Sequence, residues 1–368
     1  MPSQPRPRTD IAGADPALVR DALDGGDSLP GTAGFAGVVD GRLVRDVLGR
    51  RPLFSEADDP TVWSHDPADL DDPERVPAGH VRSPGGDERV WTLPDPEPVT
   101  DECEAVTGLR TALDGALAGV DPDDLAVAFS GGVDSALLAT RLDAPLYAVG
   151  FPGSHDLAAA RSGARALDRE VRTVELDHGA LEAAVPRVAG ATGRTNAMDV
   201  AIAVSLYLVA DAAAADGYDR LALGQGADEL FGGYAKVARA PEDPRVEADT
   251  VHGARREVVG TLPDQLERDA LALRAGGVEP VTPLLDDRVV SRALSLPGEL
   301  LVSGRGERKW ALRLAVRAWL PDRLAFREKK AVQYGSLVSR ELDRLARQAG
   351  YKRRMDDHVA RYVRSLVG

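Results

Sequence analysis

The sequence predicts an α/β protein: a parallel sheet interleaved with helices and continued by a helical C-terminal part, all preceded by a small β-rich region. Three observations predict it. Between about residue 99 and Tyr234, short β-branched or apolar runs alternate with Ala- and Leu-rich stretches of helical length. The residues before this are rich in Pro, Gly and Asp, with only brief apolar runs. After Tyr234 the apolar spacing becomes helical.

In chain order, Gly34–Val39 and Leu43–Leu48 suit strands and turns of the first region. The Pro-rich stretch Leu93–Pro98 then gives way to a helical pattern over Glu102–Leu117. A boundary near residue 98 follows, separating a region 1–98 from a region 99–368. Strands are expected at Leu125–Phe129, Leu146–Val149, Val171–Leu176 and Arg220–Leu223, with helices between them. Later helices are expected at Glu257–Ala275, Arg288–Ser295 and Lys309–Trp319. No fixed-period repeat is present, and the most biased tract is the Ala-rich Asp211–Asp216.

The 368 residues are 43% hydrophobic and 28% charged, as expected of a globular chain of roughly two domains. Net charge is −14, which repels phosphate backbones and anionic membranes and speaks against a general nucleic-acid binder. With 40 Asp to 19 Glu and 40 Arg to 5 Lys, the surface reads as halophile-like. Cys103 is the only cysteine, so neither an internal disulfide nor a cysteine metal cluster is available. A reducing, cytoplasmic setting is expected. The start of the chain lacks the apolar core of a signal peptide, and the most apolar run, Val200–Ala210, is shorter than the roughly 20 residues needed to cross a bilayer. No membrane role is expected.

The strand at Leu125–Phe129 runs into Ser130-Gly131-Gly132-Val133-Asp134-Ser135 and then a helix. Two glycines allow backbone N–H groups to curl around phosphate oxygens, and a helix N-terminus adds partial positive charge. The hydroxyls of Ser130 and Ser135 supply further donors. Asp134, an anion beside an anion, makes sense when Mg²⁺ lies between them. The alternative is a plain Gly-Gly turn capped by Ser135 or Asp134. The complete string favours the phosphate cradle, and it lacks the lysine of the GxxxxGK[ST] loop.

The strand at Arg220–Leu223 opens into Gly224-Gln225-Gly226-Ala227-Asp228-Glu229-Leu230-Phe231-Gly232-Gly233-Tyr234. Asp228 there either supplies a second carboxylate to the same metal or caps the following turn.

The first loop resembles the pyrophosphate loop of the ATP pyrophosphatase family, and with GADELFGGY it resembles the synthetase domain of asparagine synthetase. Tyr147–Ala160, Pro283–Asp286 (PLLD), Lys309–Arg313 (KWALR) and Arg327–Gly335 (REKKAVQYG) resemble further strings of that family in the same order, so the likeness covers about residues 105–345. It implies an adenine nucleotide alpha hydrolase-like fold that splits ATP between its α and β phosphates. By position it implies that Ser130, Gly131, Gly132, Asp134 and Ser135 hold pyrophosphate, and that Phe129, Val149, Leu223 and Gly224 frame the nucleotide. It further implies Asp134 and Asp228 as Mg²⁺ ligands and Lys329 as the cation approaching the α-phosphate. Lys309 stands beside the nucleotide in the same reading, the alternative for it and for Lys329 being a solvated helix-end cation.

Gly34–Phe54, Ser55-Glu56 and Val76–Val81 resemble only the later half of the family's glutamine amidotransferase domain. That domain uses an N-terminal cysteine exposed after Met1 is removed, and position 2 here is Pro2. A truncated remnant unable to hydrolyse glutamine is expected, with free ammonia or a separate glutaminase as nitrogen source. Three departures touch the synthetase part. Gln225 replaces an acidic residue suited to taking a proton from ammonium, Val281-Thr282 replace an arginine before Pro283, and Ala275-Gly276-Gly277 replace bulkier residues. All three are expected in the amino-acid and ammonia half of the site.

The implied reaction joins aspartate and ammonia with conversion of ATP to AMP and pyrophosphate. Alternatives are an adenylating ligase acting on another carboxylate or amine, as β-lactam-forming relatives do, a catalytically idle ATP-binding regulator, and a tRNA-modifying relative. The last is disfavoured by charge and by the absence of a Cys-x-x-Cys pair. His155 and His178 read as surface or structural, Trp310 and Trp319 as core packing, and the basic tail Tyr351–Arg364 as a solvated helix.

Overall fold

The computed structural model describes residues 10–240, 242–327 and 337–367. The chain forms two compact units, one built from Met1–Ala116, Gln225–Glu267 and Thr282–Ala315, the other from Leu117–Gly224, Arg268–Val281 and Val316–Gly368. Residue 98 lies within the first segment of the first unit, which the chain re-enters at Gln225 and at Thr282.

In the first unit, β1 (Asp10–Ala12), β2 (Ala36–Val39), β3 (Arg42–Arg45), β7 (His80–Ser83) and β8 (Gly86–Arg89) form an antiparallel sheet in that order. A smaller sheet has the order β5 (Trp63–Ser64), β4 (Phe54–Glu56), β6 (Pro73–Arg75). Between β1 and β2, α1 (Pro16–Gly25) starts with Asp15 accepting from the Ala17 amide and ends at left-handed Gly26, a regular start and stop. Ala36, Val38, Leu43, Leu53 and Val76 make the small core. Arg45 is fully buried, yet its guanidinium donates to the carbonyls of Gly49, Arg51 and Val76 and to Glu267 at 3.2 Å. Burial of a charge is tolerable because each of its three nitrogens donates a hydrogen bond.

The second unit holds the parallel sheet expected from the alternating pattern, ordered β11 (Val171–Glu175), β10 (Leu146–Gly150), β9 (Leu125–Ala128), β12 (Arg220–Ala222), β13 (Glu279–Val281). Chain order reverses between β9 and β12, the place where doubly wound sheets open a crevice. Four of these strands were legible as apolar runs. The fifth was not, because Pro280 breaks the strand signal; it is tolerated on an edge strand, where a missing N–H costs no ladder bond.

Helices α3 (Val133–Arg141), α4 (His155–Ala166), α5 (His178–Thr192) and α6 (Ala197–Ala215) accompany the sheet. The run Val200–Ala210 lies within α6, whose 19 residues and mean hydropathy of 1.7 make it, contrary to the expectation of a short segment, long and apolar enough to cross a membrane. Its residues Val200, Val204, Tyr207 and Ala210 are buried in the core of this unit. The closing helices Val338–Gln348 and His358–Val367 add Leu342, Leu345, Val359, Tyr362 and Val363 to the same core. The solvated-helix reading of the tail is therefore corrected: one face is packed.

Two further expectations change. The span Glu257–Ala275 is two helices, α9 (Val251–Val259) and α10 (Leu262–Ala275). Pro263 is the cause, since its ring would clash with the carbonyl of Val259 in a continuous helix. The helix expected from Lys309 begins at Trp310, because Lys309 adopts φ +59°.

Candidate functional site

The loop after β9 owes its shape to glycine. Gly131 has φ +73°, and a Cβ there would lie 2.4 Å from the carbonyl oxygen of Ala159. Helix α4 accommodates this approach with Gly163, whose missing Cβ would sit 3.0 Å from the Cα of Gly131. Gly132 is extended and leads into α3, whose N-terminus has no side-chain cap. The alternative in which Ser135 or Asp134 caps this turn is thereby set aside. First-turn N–H groups and the positive end of the dipole together make an anion-accepting end.

The Ser135 hydroxyl accepts from the Ser130 amide at 3.2 Å, lies 3.1 Å from the Ser130 hydroxyl and donates to the Gly132 carbonyl at 3.2 Å. These contacts draw both ends of the loop together. Arg327 completes the hold, donating to the carbonyls of Ala159 at 3.0 Å and Gly131 at 3.4 Å and to the Ser162 hydroxyl at 3.0 Å. Arg327 was quoted in sequence only as the first residue of a string. Its role was not legible, because it depends on carbonyls far away in the chain.

At the end of the neighbouring strand β12, a Cβ on Gly224 would stand 2.7 Å from the Cβ of Asp134. Glycine there lets this strand end approach the first turn of α3. Phe129, Val149 and Leu223 are buried, at 2%, 8% and 4% exposure. Their side chains serve the interior, so what they can offer a ligand at the strand ends is main chain.

The acidic loop belongs to the first unit. Gly226 has φ +84° and opens α7 (Ala227–Leu230). Asp228 is half-exposed, and its Oδ1 lies 3.0 Å from Nζ of buried Lys309. A Cβ on Gly233 would fall 1.9 Å from that same Oδ1 and 2.5 Å from the Lys309 Cε. Next to Asp228, buried Glu229 accepts a hydrogen bond from the Tyr234 hydroxyl at 2.5 Å. Burial, reinforced by the Asp228 charge, pushes the Glu229 carboxyl up to about 7. The Glu229–Tyr234 pair was not foreseen, although both residues lie in the string that drew attention to Asp228. Gln225 is half-buried at the head of this loop, and Lys329 lies outside the described residues.

Of the three departures, Ala275-Gly276-Gly277 is relocated. A Cβ on Gly276 would lie 2.6 Å from the Cβ of Ala210, so these glycines let the entry to β13 pack on α6. They stand at the N-terminal end of a strand, whereas ligands of parallel sheets bind at the C-terminal ends. Their placement in an amino-acid half of the site is therefore not upheld. Val281, by contrast, ends β13. Among the described residues no group of three or more His, Cys, Asp or Glu side chains is arranged to hold a metal. His178 pairs with Glu341 at 2.8 Å and His155 is exposed.

Fold and loop together define a doubly wound α/β protein with an anion-accepting turn at the switch point of its sheet. The family model of asparagine synthase matches residues 109–274 and 242–364. The chain belongs to the asparagine synthase family. It is 32% identical over 281 residues to asparagine synthetase [glutamine-hydrolyzing] 1 of Methanocaldococcus jannaschii, covering 67% of this chain and 52% of that protein. Asparagine synthetase B of Escherichia coli is 28% identical over 51% of this chain and 34% of its own length, and the asparagine synthetase of Gallus gallus 31% identical over 56% and 38%. The chain thus spans about half, or less, of these relatives. A solved NMN synthetase from Francisella tularensis overlaps 63% of the chain at a TM-score of 0.26 and 15% identity.

Proposed function

We propose that this protein is an ATP-dependent ligase that adenylates a carboxylate, aspartate in the first instance, and joins it to ammonia as an amide. The observation that carries the proposal is the turn Ser130–Ser135: a left-handed glycine, a facing pair of hydroxyls and a helix start without a side-chain cap. Such a turn suits the two phosphates that leave when the α–β bond of ATP is broken.

A carboxylate is a poor acyl donor because oxide would have to leave. In the proposed first step, a carboxylate oxygen attacks the α-phosphorus and pyrophosphate departs into the Ser130–Ser135 turn. In the second, ammonia attacks the acyl carbon, AMP leaves with the C–O bonding pair, and the nitrogen gives up a proton. Ser130, Gly131, Gly132 and Ser135 orient the pyrophosphate, while main chain at Phe129, Val149, Leu223 and Gly224 borders the nucleotide. Lys329 is proposed to face the α-phosphate, and Lys309 to serve the nucleotide by holding Asp228.

Asp134 and Asp228 are the proposed Mg²⁺ ligands. Both offer carboxylate oxygens, the hard donors this metal takes. When bound, Mg²⁺ offsets charge on the departing pyrophosphate. Residues 1–98 are proposed as an amidotransferase-like region, and the nitrogen source as free ammonia or a separate glutaminase. Gln225 favours one second reading. An amide cannot accept the proton that the family's acidic residue would take, which supports a different carboxylate or amine partner.

Pyrophosphate release with Mg-ATP tests both. Release dependent on aspartate and ammonium, absent with aspartate and glutamine and abolished in Asp134→Ala, is the expected result. Release with another carboxylate and none with aspartate selects the second reading; nucleotide binding without release under any substrate removes both.

A further inference from the structure

The acidic loop is held through a contact that plays no part in the proposed chemistry. A Cβ on Gly226 would lie 2.3 Å from Cδ2 and 2.7 Å from Cγ of Leu285, so this fully buried leucine rests on bare backbone two residues before Asp228. The Leu285 carbonyl in turn accepts a hydrogen bond from Nη1 of Arg50 at 2.7 Å. Arg50 belongs to the turn between β3 and β4 of the N-terminal region.

Arg50 is itself fixed. Its Nη1 also donates to Asp287 Oδ1 at 2.7 Å, and its Nε to Asp46 Oδ1 at 2.8 Å. Asp287 Oδ2 accepts from the amides of Thr32 at 2.7 Å and Gly31 at 3.1 Å. Side-chain exposure of Arg50, Asp46 and Asp287 is 1%, 0% and 1%. A buried cation held at Nε and Nη1 by two carboxylates and a carbonyl, with its Nη2 buried and without a hydrogen-bond partner, has few alternative positions, since any shift leaves a charge unpaired. The carbonyl it grips has correspondingly few.

We propose that Arg50 is a positioning residue for the acidic loop: through Leu285 it fixes the backbone at Gly226, and so where Asp228 stands. The N-terminal region then serves as the frame of this loop. The functional half of this inference rests on the ligase reading; the mechanical half does not, and the experiment separates them.

Two variants test it by hydrogen exchange, read on peptides covering residues 225–234 and, for reference, 36–45. Leu285→Ala removes the side chain on Gly226 and leaves the Arg50 cluster whole. The triple variant Arg50→Met, Asp46→Leu, Asp287→Leu removes the grip on the Leu285 carbonyl without leaving a buried charge, a replacement that such clusters often tolerate. Exchange of 225–234 is expected to quicken about tenfold in both, with 36–45 unchanged. The turnover number for pyrophosphate release should fall while KM for ATP holds. Unchanged exchange at 225–234 overturns the proposal, as does equal acceleration of both peptides, which marks a general structural role. Faster loop exchange in a protein whose unmodified form releases no pyrophosphate upholds the positioning and removes the ligase reading instead.

Discussion

Lys309 and Asp228 meet at 3.0 Å across the bare Cα of Gly233. The lysine reaches this place from a backbone of φ +59°, which costs on the order of 1 kcal/mol for a residue with a Cβ. That cost persists because a left-handed turn just before Trp310 is what aims a buried cation at the acidic loop.

Gly233→Ala therefore tests the pair directly. The added methyl has no space beside the Asp228 carboxylate, so either the pair separates or the loop moves. Pyrophosphate release should fall by about 100-fold, the scale of losing one well-placed electrostatic group. Gly304→Ala, where nothing lies within 4 Å, should change activity little and serves as the control.

Arg327 ties the Ser130–Ser135 turn to α4 through two carbonyls and one hydroxyl. Arg327→Met keeps most of the apolar stem and removes all three donors. The turn should loosen, raising KM for ATP by about tenfold and lowering the urea midpoint, because three bonds worth roughly 1 kcal/mol net each are lost together. An unaltered KM would mean that the turn keeps its shape without this clamp.

Ser135 is buried, and its hydroxyl serves the Ser130 amide, the Ser130 hydroxyl and the Gly132 carbonyl. In Ser135→Ala these lose a shared partner at once, for a loss of about 1–2 kcal/mol in unfolding free energy. Ser135→Thr should regain part of the stability and less of the activity, since its methyl enters a closed space. Chemical denaturation and pyrophosphate release, measured on the same preparations, check both parts.

His252 sets an expectation for pH. Its buried Nε2 has no hydrogen-bond partner, and burial, followed by the nearby Arg255 charge, holds its pKa below the ordinary value of 6.5. The folded chain thus binds this proton less readily than the unfolded chain. The contribution of His252 to stability is full above pH 6.5 and is lost as the pH falls below it. In His252→Leu this part of the acid sensitivity should vanish, so that urea midpoints at pH 7.5 and 5.5 differ less than in the unaltered protein. An identical difference in both would show that the imidazole does not carry the effect.

Four strands of the parallel sheet could be read as apolar runs, and β13 could not, because Pro280 spoils the pattern and its place at the edge appears only once β12 pairs with it. The turn Ser130–Ser135 was legible, since glycine and hydroxyl residues in that order have few other uses. Its clamp, Arg327, was hidden: a guanidinium that grips main-chain carbonyls leaves no mark in the sequence of the residues it grips. Gly276 shows the converse. Sequence marked it as unusual, and only the approach of α6 shows that its small size serves packing.

By itself, the sequence determined the alternation of strands and helices and the two glycine-rich loops with the hydroxyl and carboxylate side chains they carry. These are local properties, set by backbone freedom at glycine and by the period of apolar residues. Tertiary structure alone decided that the chain returns twice to its first compact unit, that Lys309 faces Asp228, and that Arg50 reaches Leu285 and Asp287. Those partners are distant in the chain, and their pairing follows from burial: a charge taken from water must find its counterpart wherever the fold brings one.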